Sequence, residues 1–413
     1  MNILILLISI ALIVITLLYL YWETIKLNFM MLLITSRGII APNKFWWSVS
    51  DLLLKDSNGV LFFEDLKKYN KPIIQRNMAG LNMNIVMNIK YVKQILDNSP
   101  YPFGVGQLKA NFFSSFMSKN LGVSEGLCWY QRRKLNEFVL HANSYPHQYM
   151  NKWDLTFNKH LTSFEEFNKY GQLKTMQIVF GDDKIVPAIF DIFQEANSVT
   201  AIFGLQEVSK KDYDEYVYKQ IDNPKKYSLL SLATGSKLEI YHQIPHWIFP
   251  IVSLFNTHFP KLLLFLHYHP DVKEKLDNNL NSYYLRACIL EMFRLNNPVI
   301  TTFRETDSKV ILDKEYEKGS HFVIFNNPIL RTGFKDPNKF IPERWTPELE
   351  ESYYAIMFNQ GPQKCPGKNL TIAILSNLYI NYDAKISDAL PHVNINNVQQ
   401  MVNPFSISFS YSY

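Results

Sequence analysis

The apolar positions divide the chain unevenly. Residues 3–22 form an unbroken apolar run with no charge, proline or glycine. At about 1.5 Å per residue, about 20 residues reach about 30 Å, the depth of a bilayer core. Tyr19, Tyr21 and Trp22 end the run where an interfacial aromatic belt would lie. A cleaved signal peptide would need a basic start, a shorter apolar stretch and a small-residue cleavage site, and the sequence offers none of these. Lys26, Arg37 and Lys44 follow the run and nothing basic precedes it, which puts the rest of the chain on the cytoplasmic side. The expectation is a transmembrane anchor over 1–22, a linker over 23–45 ending near Ala41-Pro42, and one large domain over 46–413.

Beyond the linker the period changes. Residues 71–90 alternate with a period of two around Gly80, which predicts a hairpin, and "YVKQIL" after it starts a helix. Helical spacing dominates from about 105 to about 300. The stretch 247–266 is strongly apolar but contains His258, Lys261 and two prolines, so it reads as a buried helix rather than a second span. Pro250 and Pro260 are expected to bend or interrupt it. The end, "FSISFSYSY", alternates again and reads as a strand. The fold class is mainly α with a small β part.

Composition narrows the chemistry. The chain has 413 residues and a formal net charge of only +5, which argues against nucleic acid as a partner. A hydrophobic share of 47% can bury a large core. Three isolated cysteines, Cys128, Cys288 and Cys365, exclude a disulfide framework and a C-x-x-C metal or redox pair. His242 and His246 are spaced i, i+4, but no third ligand joins them in the sequence, so they read as satisfied or surface histidines.

Cys365 has the most suggestive setting. In "FNQGPQKCPGKNL" (358–370) it sits between Gly361-Pro362 and Pro366-Gly367, ahead of a helical pattern. The two glycines allow tight turns and the close approach of a flat partner. A thiolate there would lie near a helix N-terminus, which favours negative charge. Cys128 and Cys288 lack such a setting and read as buried structural residues. Elsewhere, Glu291 and Arg294 are i, i+3 on a helix, and Trp129 and Arg133 are i, i+4 on another.

The spacing Phe358-x-x-Gly361-x-x-x-Cys365-x-Gly367 resembles the haem-binding loop of the cytochrome P-450 superfamily. "EMFR" resembles its E-x-x-R helix, Pro342-Glu343-Arg344-Trp345 its P-E-R-F/W segment, and "WYQRR" its W-x-x-x-R helix, all in the family's order. "YHPDVKEKL" (268–276) is similar to the helix that precedes E-x-x-R. The resemblance covers residues 120–413 well and 45–120 loosely. It implies a P-450 fold preceded by one N-terminal transmembrane helix, with residues 46–413 as a haem-thiolate domain. It implies haem b as cofactor, Cys365 as the axial ligand of its iron, and Phe358, Gly361 and Gly367 around it. It assigns Trp129, Arg133 and Arg304 to the haem propionates, and Glu291, Arg294 and Arg344 to a buried structural triad.

The resemblance further implies a monooxygenase acting on a small apolar substrate, sterol- or lipid-like, with electrons from a separate reductase. Lys364, Lys368, Arg132 and Lys134 could form a basic docking face for that partner. Three departures stand out. Gln363 occupies a position where the family usually has Arg or His. No acid–Thr pair occurs in "FPIVSLFNTHFPK" (249–261), where Ser253, Asn256 and Thr257 are the available polar replacements. The stretch between Arg133 and Pro250 is short. A haem-thiolate isomerase, dehydratase or peroxygenase needing no reductase is therefore an alternative. So is a non-catalytic relative that binds haem or lipid.

Overall fold

The computed structural model describes residues 56–413, except 57, 79–80, 107–108, 111–116, 118, 141–151, 158, 197–208, 279–281, 383–384, 391–401 and the last two. The expected anchor and linker lie outside the described residues. The Asp56 carboxylate caps the first helix, α1 (Val60–Lys67), by accepting from the Val60 and Phe62 N–H groups at 3.0 and 2.8 Å. The hairpin forms as read: β1 (Ile73–Met78) pairs antiparallel with β2 (Leu81–Val86). Helix α2 (Ile89–Asp97) follows, N-capped by the Asn88 side chain.

The hairpin joins a five-stranded sheet in the order β1-β2-β5-β4-β3, built with β3 (Phe103–Gly104), β4 (Thr301–Thr306) and β5 (His321–Phe325). The β2–β5 pair is parallel and the other pairs are antiparallel. Between β3 and β4 runs the helical bulk: α3 (Gly126–Leu140), α4 (Phe164–Phe180), α5 (Pro187–Ala196), α6 (Lys211–Asp222), α7 (Lys237–Ser253), α8 (Phe259–His267), α9 (Pro270–Asn278) and α10 (Ser282–Leu295). After the sheet comes α11 (Lys368–Ile380), and then a strand pair, Ile386–Leu390 with Ser408–Tyr411. The terminal strand is the one read from its alternation.

Helices α7 and α8 form one rod, Lys237–His267, long and apolar enough to cross a membrane yet 67% buried inside the protein. The prolines do not interrupt it, contrary to expectation. Pro260 has no N–H to offer the Asn256 carbonyl four residues back. The helix instead widens into a π turn over Leu254–His258, closed by the Phe259 N–H on the Leu254 carbonyl. Helix α4 packs closely on this turn because Gly171 leaves room: a Cβ there would meet the Phe255 Cβ at 2.7 Å.

A buried polar hub fixes α3 against the rod. Asn136 donates to Gln243 Oε1 at 3.0 Å and accepts from the Trp247 indole at 2.8 Å. Gln243 Oε1 also accepts from the Leu121 N–H at 2.9 Å. All three side chains are buried, and every bond replaces one that water would otherwise supply.

At the end of the π turn and just past it, the rod buries two basic side chains. His258 packs on Phe293 with ring centroids 4.9 Å apart, and its Nδ1 has no partner. Burial pushes its imidazole down to about 3. Lys261 donates to Asn296 Oδ1 at 2.7 Å, and burial pushes its ammonium down to about 8. Below pH 6.5 the unfolded chain protonates His258 while the folded chain does not, so stability falls with pH, by at most about 1.4 kcal/mol per pH unit for this residue. His258→Phe fills the same space without proton uptake. Its urea midpoint should fall less than that of wild type between pH 6.5 and 4.5; parallel curves would show that His258 carries none of the acid sensitivity.

Candidate active site

The Cys365 loop is built by its own backbone. A 3-10 turn over Ile356–Phe358 leads to Asn359, whose positive φ of 60° turns the chain, and its side chain donates to the Gln363 carbonyl at 3.0 Å. Gly361 takes φ 70°, and a Cβ there would meet the Leu96 carbonyl oxygen at 2.4 Å, so only glycine fits against the end of α2. Gly367 differs from expectation: its φ is −92°, and a Cβ would meet neighbours only at 4.0 Å, so the turn itself does not require glycine. The Cys365 N–H closes the loop on the Phe358 carbonyl at 2.7 Å, and Phe358 packs on Phe293.

The sulfur then meets the start of α11. It accepts from the Gly367 and Lys368 N–H groups, and the charges of Arg133 and Lys368 act on it. Burial pushes the thiol pKa up, and these four influences pull it back. The residue keeps exposed surface although protein surrounds it, so the sulfur looks into an interior space.

Arg133 reaches the loop from α3, donating to the Lys364 carbonyl and pairing with Glu137 at 2.7 Å. Trp129, one turn earlier, is buried against the Tyr130 ring, and its indole N–H has no acceptor among the described residues. Arg304 is buried on β4, donating to Ser99 Oγ at 2.9 Å and to the Phe303 carbonyl at 2.7 Å. It has no carboxylate partner among the described residues, and burial pushes it down to about 10. Such a cation is costly unless a ligand anion completes it.

The structure also brings Glu291, Arg294 and Arg344 together. Glu291 is fully buried and accepts five N–H groups. They come from Arg294 twice at 2.8 Å, and from the Ile341 backbone, Arg344 and the Trp345 indole at 3.0 Å each. Arg294 also binds the carbonyls of Leu330, Pro337 and Lys339, and Arg344 those of Lys335 and Asp336. The two guanidiniums lie 5.1 and 5.2 Å from the Phe334 ring centroid. The cluster ties α10 to the segment that leads into the Cys365 loop.

The cytochrome P450 family model matches residues 262–380, which include α10, this cluster and the Cys365 loop. Cytochrome P450 monooxygenase aclL of Aspergillus oryzae is 35% identical over 113 residues, 24% of this chain and 23% of that protein. Cytochrome P450 monooxygenase ankB of Aspergillus thermomutatus is 31% identical over 117 residues, 26% of this chain and 22% of that one. The matched segment thus spans less than a quarter of either relative. The structure of retinoic acid-bound cyanobacterial CYP120A1 superposes with a TM-score of 0.65, at 16% identity, covering 86% of this chain and 96% of that one. Residues 262–380 are a cytochrome P450 segment, and the chain carries the P450 fold.

The family match implies a haem cofactor, and the residues present fit one. A cysteine whose sulfur takes two backbone N–H groups suits an iron ligand. The uncompensated Arg304 and the unpartnered Trp129 indole suit acid side groups.

Other expected residues fall differently. Along the central rod, His246, Pro250, Ser253 and Thr257 share one stripe that keeps exposed surface. Ser253 donates to the Pro250 carbonyl at 2.6 Å and Thr257 to Asn256 Oδ1 at 2.9 Å. Asn256 turns instead toward α4, donating to Asn168 at 2.9 Å. Cys128 is exposed on α3, not buried; Cys288 is buried, and burial pushes its thiol up to about 12.

The basic face needs correction too. Arg132 is buried, pairing with Glu239 at 2.8 Å, and Lys368 is neutralised by Glu350 and Glu351 at 2.8 and 3.2 Å. His242 and His246 are not satisfied: His242 Nε2 is buried without a partner, and His246 has none among the described residues. Lys109, which the motifs gave no reason to notice, has no hydrogen bond or ion pair among the described residues and is pushed down to about 8 by burial and then by Arg304.

Proposed function

We propose that the protein is a membrane-anchored haem-thiolate monooxygenase that inserts oxygen into a small apolar substrate, sterol- or lipid-like, using electrons from a separate reductase. The observation that carries this reading is the Cys365 sulfur, aimed into the interior and held by two backbone N–H groups. Thiolate-ligated haem supplies oxygen activation, because the sulfur's electron donation favours O–O cleavage. Gly367 and Lys368 moderate that donation by hydrogen bonding to the sulfur. Trp129, Arg133 and Arg304 orient the cofactor through its acid groups. The hydroxyls of Ser253 and Thr257 lie on the rod's exposed stripe, where they can hold a proton or water. Residues 1–22 would keep the site at a membrane, with the main domain on the cytoplasmic side and within reach of apolar substrates.

One observation favours a second reading, reductase-independent turnover. The stripe from His246 to Thr257 carries no carboxylate, so no acid stands beside Thr257 to relay protons. The two readings separate in one experiment. The purified full chain is supplied either with NADPH and a P450 reductase or with hydrogen peroxide, and products from a panel of sterols and fatty acyl compounds are measured. Oxygenated product with the reductase supports the monooxygenase. Product with peroxide alone supports the second reading, and none under either condition overturns both.

A further inference from the structure

We propose that Lys109 and His246 form a recognition site for the carboxylate of an apolar carboxylic-acid substrate. This deepens the proposed function and rests on it. A contact path places the pair. Gln243 holds the Leu121 N–H at 2.9 Å, and a Cβ on the next residue, Gly122, would lie 3.9 Å from Lys109 Nζ. His246 is one turn after Gln243 on the same helix, and it feels the charge of Lys109. Lys109 thus lies beside the rod's N-terminal half, against the stripe that runs on through Pro250 and Ser253 to Thr257.

Neither group has a hydrogen-bond or ion-pair partner among the described residues, and the influences on the Lys109 ammonium are burial and the charge of Arg304. His246 keeps exposed surface yet is enclosed by protein, so it looks into an interior space, as Cys365 does. Burial, aided by Lys109, holds His246 neutral, which leaves it an N–H to donate. An ammonium and an imidazole N–H on neighbouring parts of the fold match the two oxygens of a carboxylate. Buried cations are retained where an anion completes them, and here the substrate supplies it. Lys109 also feels the charge of Arg304, which places it near the donors for the cofactor's acid groups as well as near His246, and a second anion there would be held by Lys109 and His246 together. The apolar remainder of the substrate would follow the stripe past Pro250.

The test is calorimetric titration of the full chain with dodecanoic, 4-phenylbutanoic and abietic acids, each against its methyl ester. Haem content and the carbon-monoxide spectrum are read on the same sample. At least one acid should bind ten-fold or more tighter than its ester. Lys109→Met should remove that preference while the ester still binds, Lys109→Arg should restore it, and His246→Phe should reduce it. Equal binding of every acid and ester, or a preference that survives Lys109→Met, overturns the proposal. So does a Lys109→Met variant that loses haem while keeping its acid preference, which would assign Lys109 to the cofactor. Loss of the thiolate spectrum in wild type would defeat the monooxygenase reading separately, because calorimetry reports acid preference without turnover.

Discussion

Replacing Cys365 with Ala is expected to abolish the carbon-monoxide difference band at the thiolate-ligated position and to reduce oxygenase turnover to background. The substitution removes the sulfur and little else. The loop is closed by the Cys365 N–H on the Phe358 carbonyl, by Asn359 on the Gln363 carbonyl and by Arg133 on the Lys364 carbonyl, and none of these needs the side chain. The variant should therefore fold, with a melting temperature near that of wild type when both are freed of haem. Cys128→Ala is the matched control, since Cys128 is exposed on α3, and it should keep the full band. A band that persists in Cys365→Ala would remove the foundation of both catalytic readings.

What the sequence disclosed depended on how local the interaction is. The Cys365 loop and the Glu291–Arg294 pair are short contiguous patterns, so each could be matched to a family motif, and the resemblance implied their geometry. Arg132 and Arg133 show the limit. They are adjacent on one helix, yet one turns to Glu239, more than a hundred residues away, and the other to the Cys365 loop. Spacing ranks neither, because the deciding partners come from elsewhere in the chain. The same reason hid Lys109, which is brought near the rod through Gly122 and the bond of Leu121 to Gln243. The prolines misled for a different reason. A helix held in the core by packing on both sides can absorb a missing N–H as a π turn, and Pro260 became a widening rather than a break.

Glu291→Ala is expected to be the most destabilising single substitution in the chain. Five N–H groups converge on this one carboxylate, and both Glu291 and Arg294 are fully withdrawn from water. Removing one partner of a buried ion pair costs about 3–5 kcal/mol, and the orphaned Ile341 and Trp345 N–H groups add about 1–3 kcal/mol each. A domain stabilised by only about 5–15 kcal/mol does not absorb that loss. Glu291→Gln should rescue little. Its amide turns one acceptor into a donor that faces either the Arg294 fork or the Trp345 indole, and it leaves Arg294 without a counter-charge. Expression of either variant should give protein that is insoluble or rapidly proteolysed, with haem per chain near zero. Arg344→Lys is the informative intermediate: it keeps a charge near Glu291 but loses the fork that reaches the carbonyls of Lys335 and Asp336. It should fold with reduced haem retention. A Glu291→Gln protein with wild-type melting temperature and haem content would show that the segment entering the Cys365 loop holds its place without this charge. The loop would then owe its position to its other ties, among them Gln360 on the carbonyls of Glu350 and Ser352 and Arg133 on the Lys364 carbonyl.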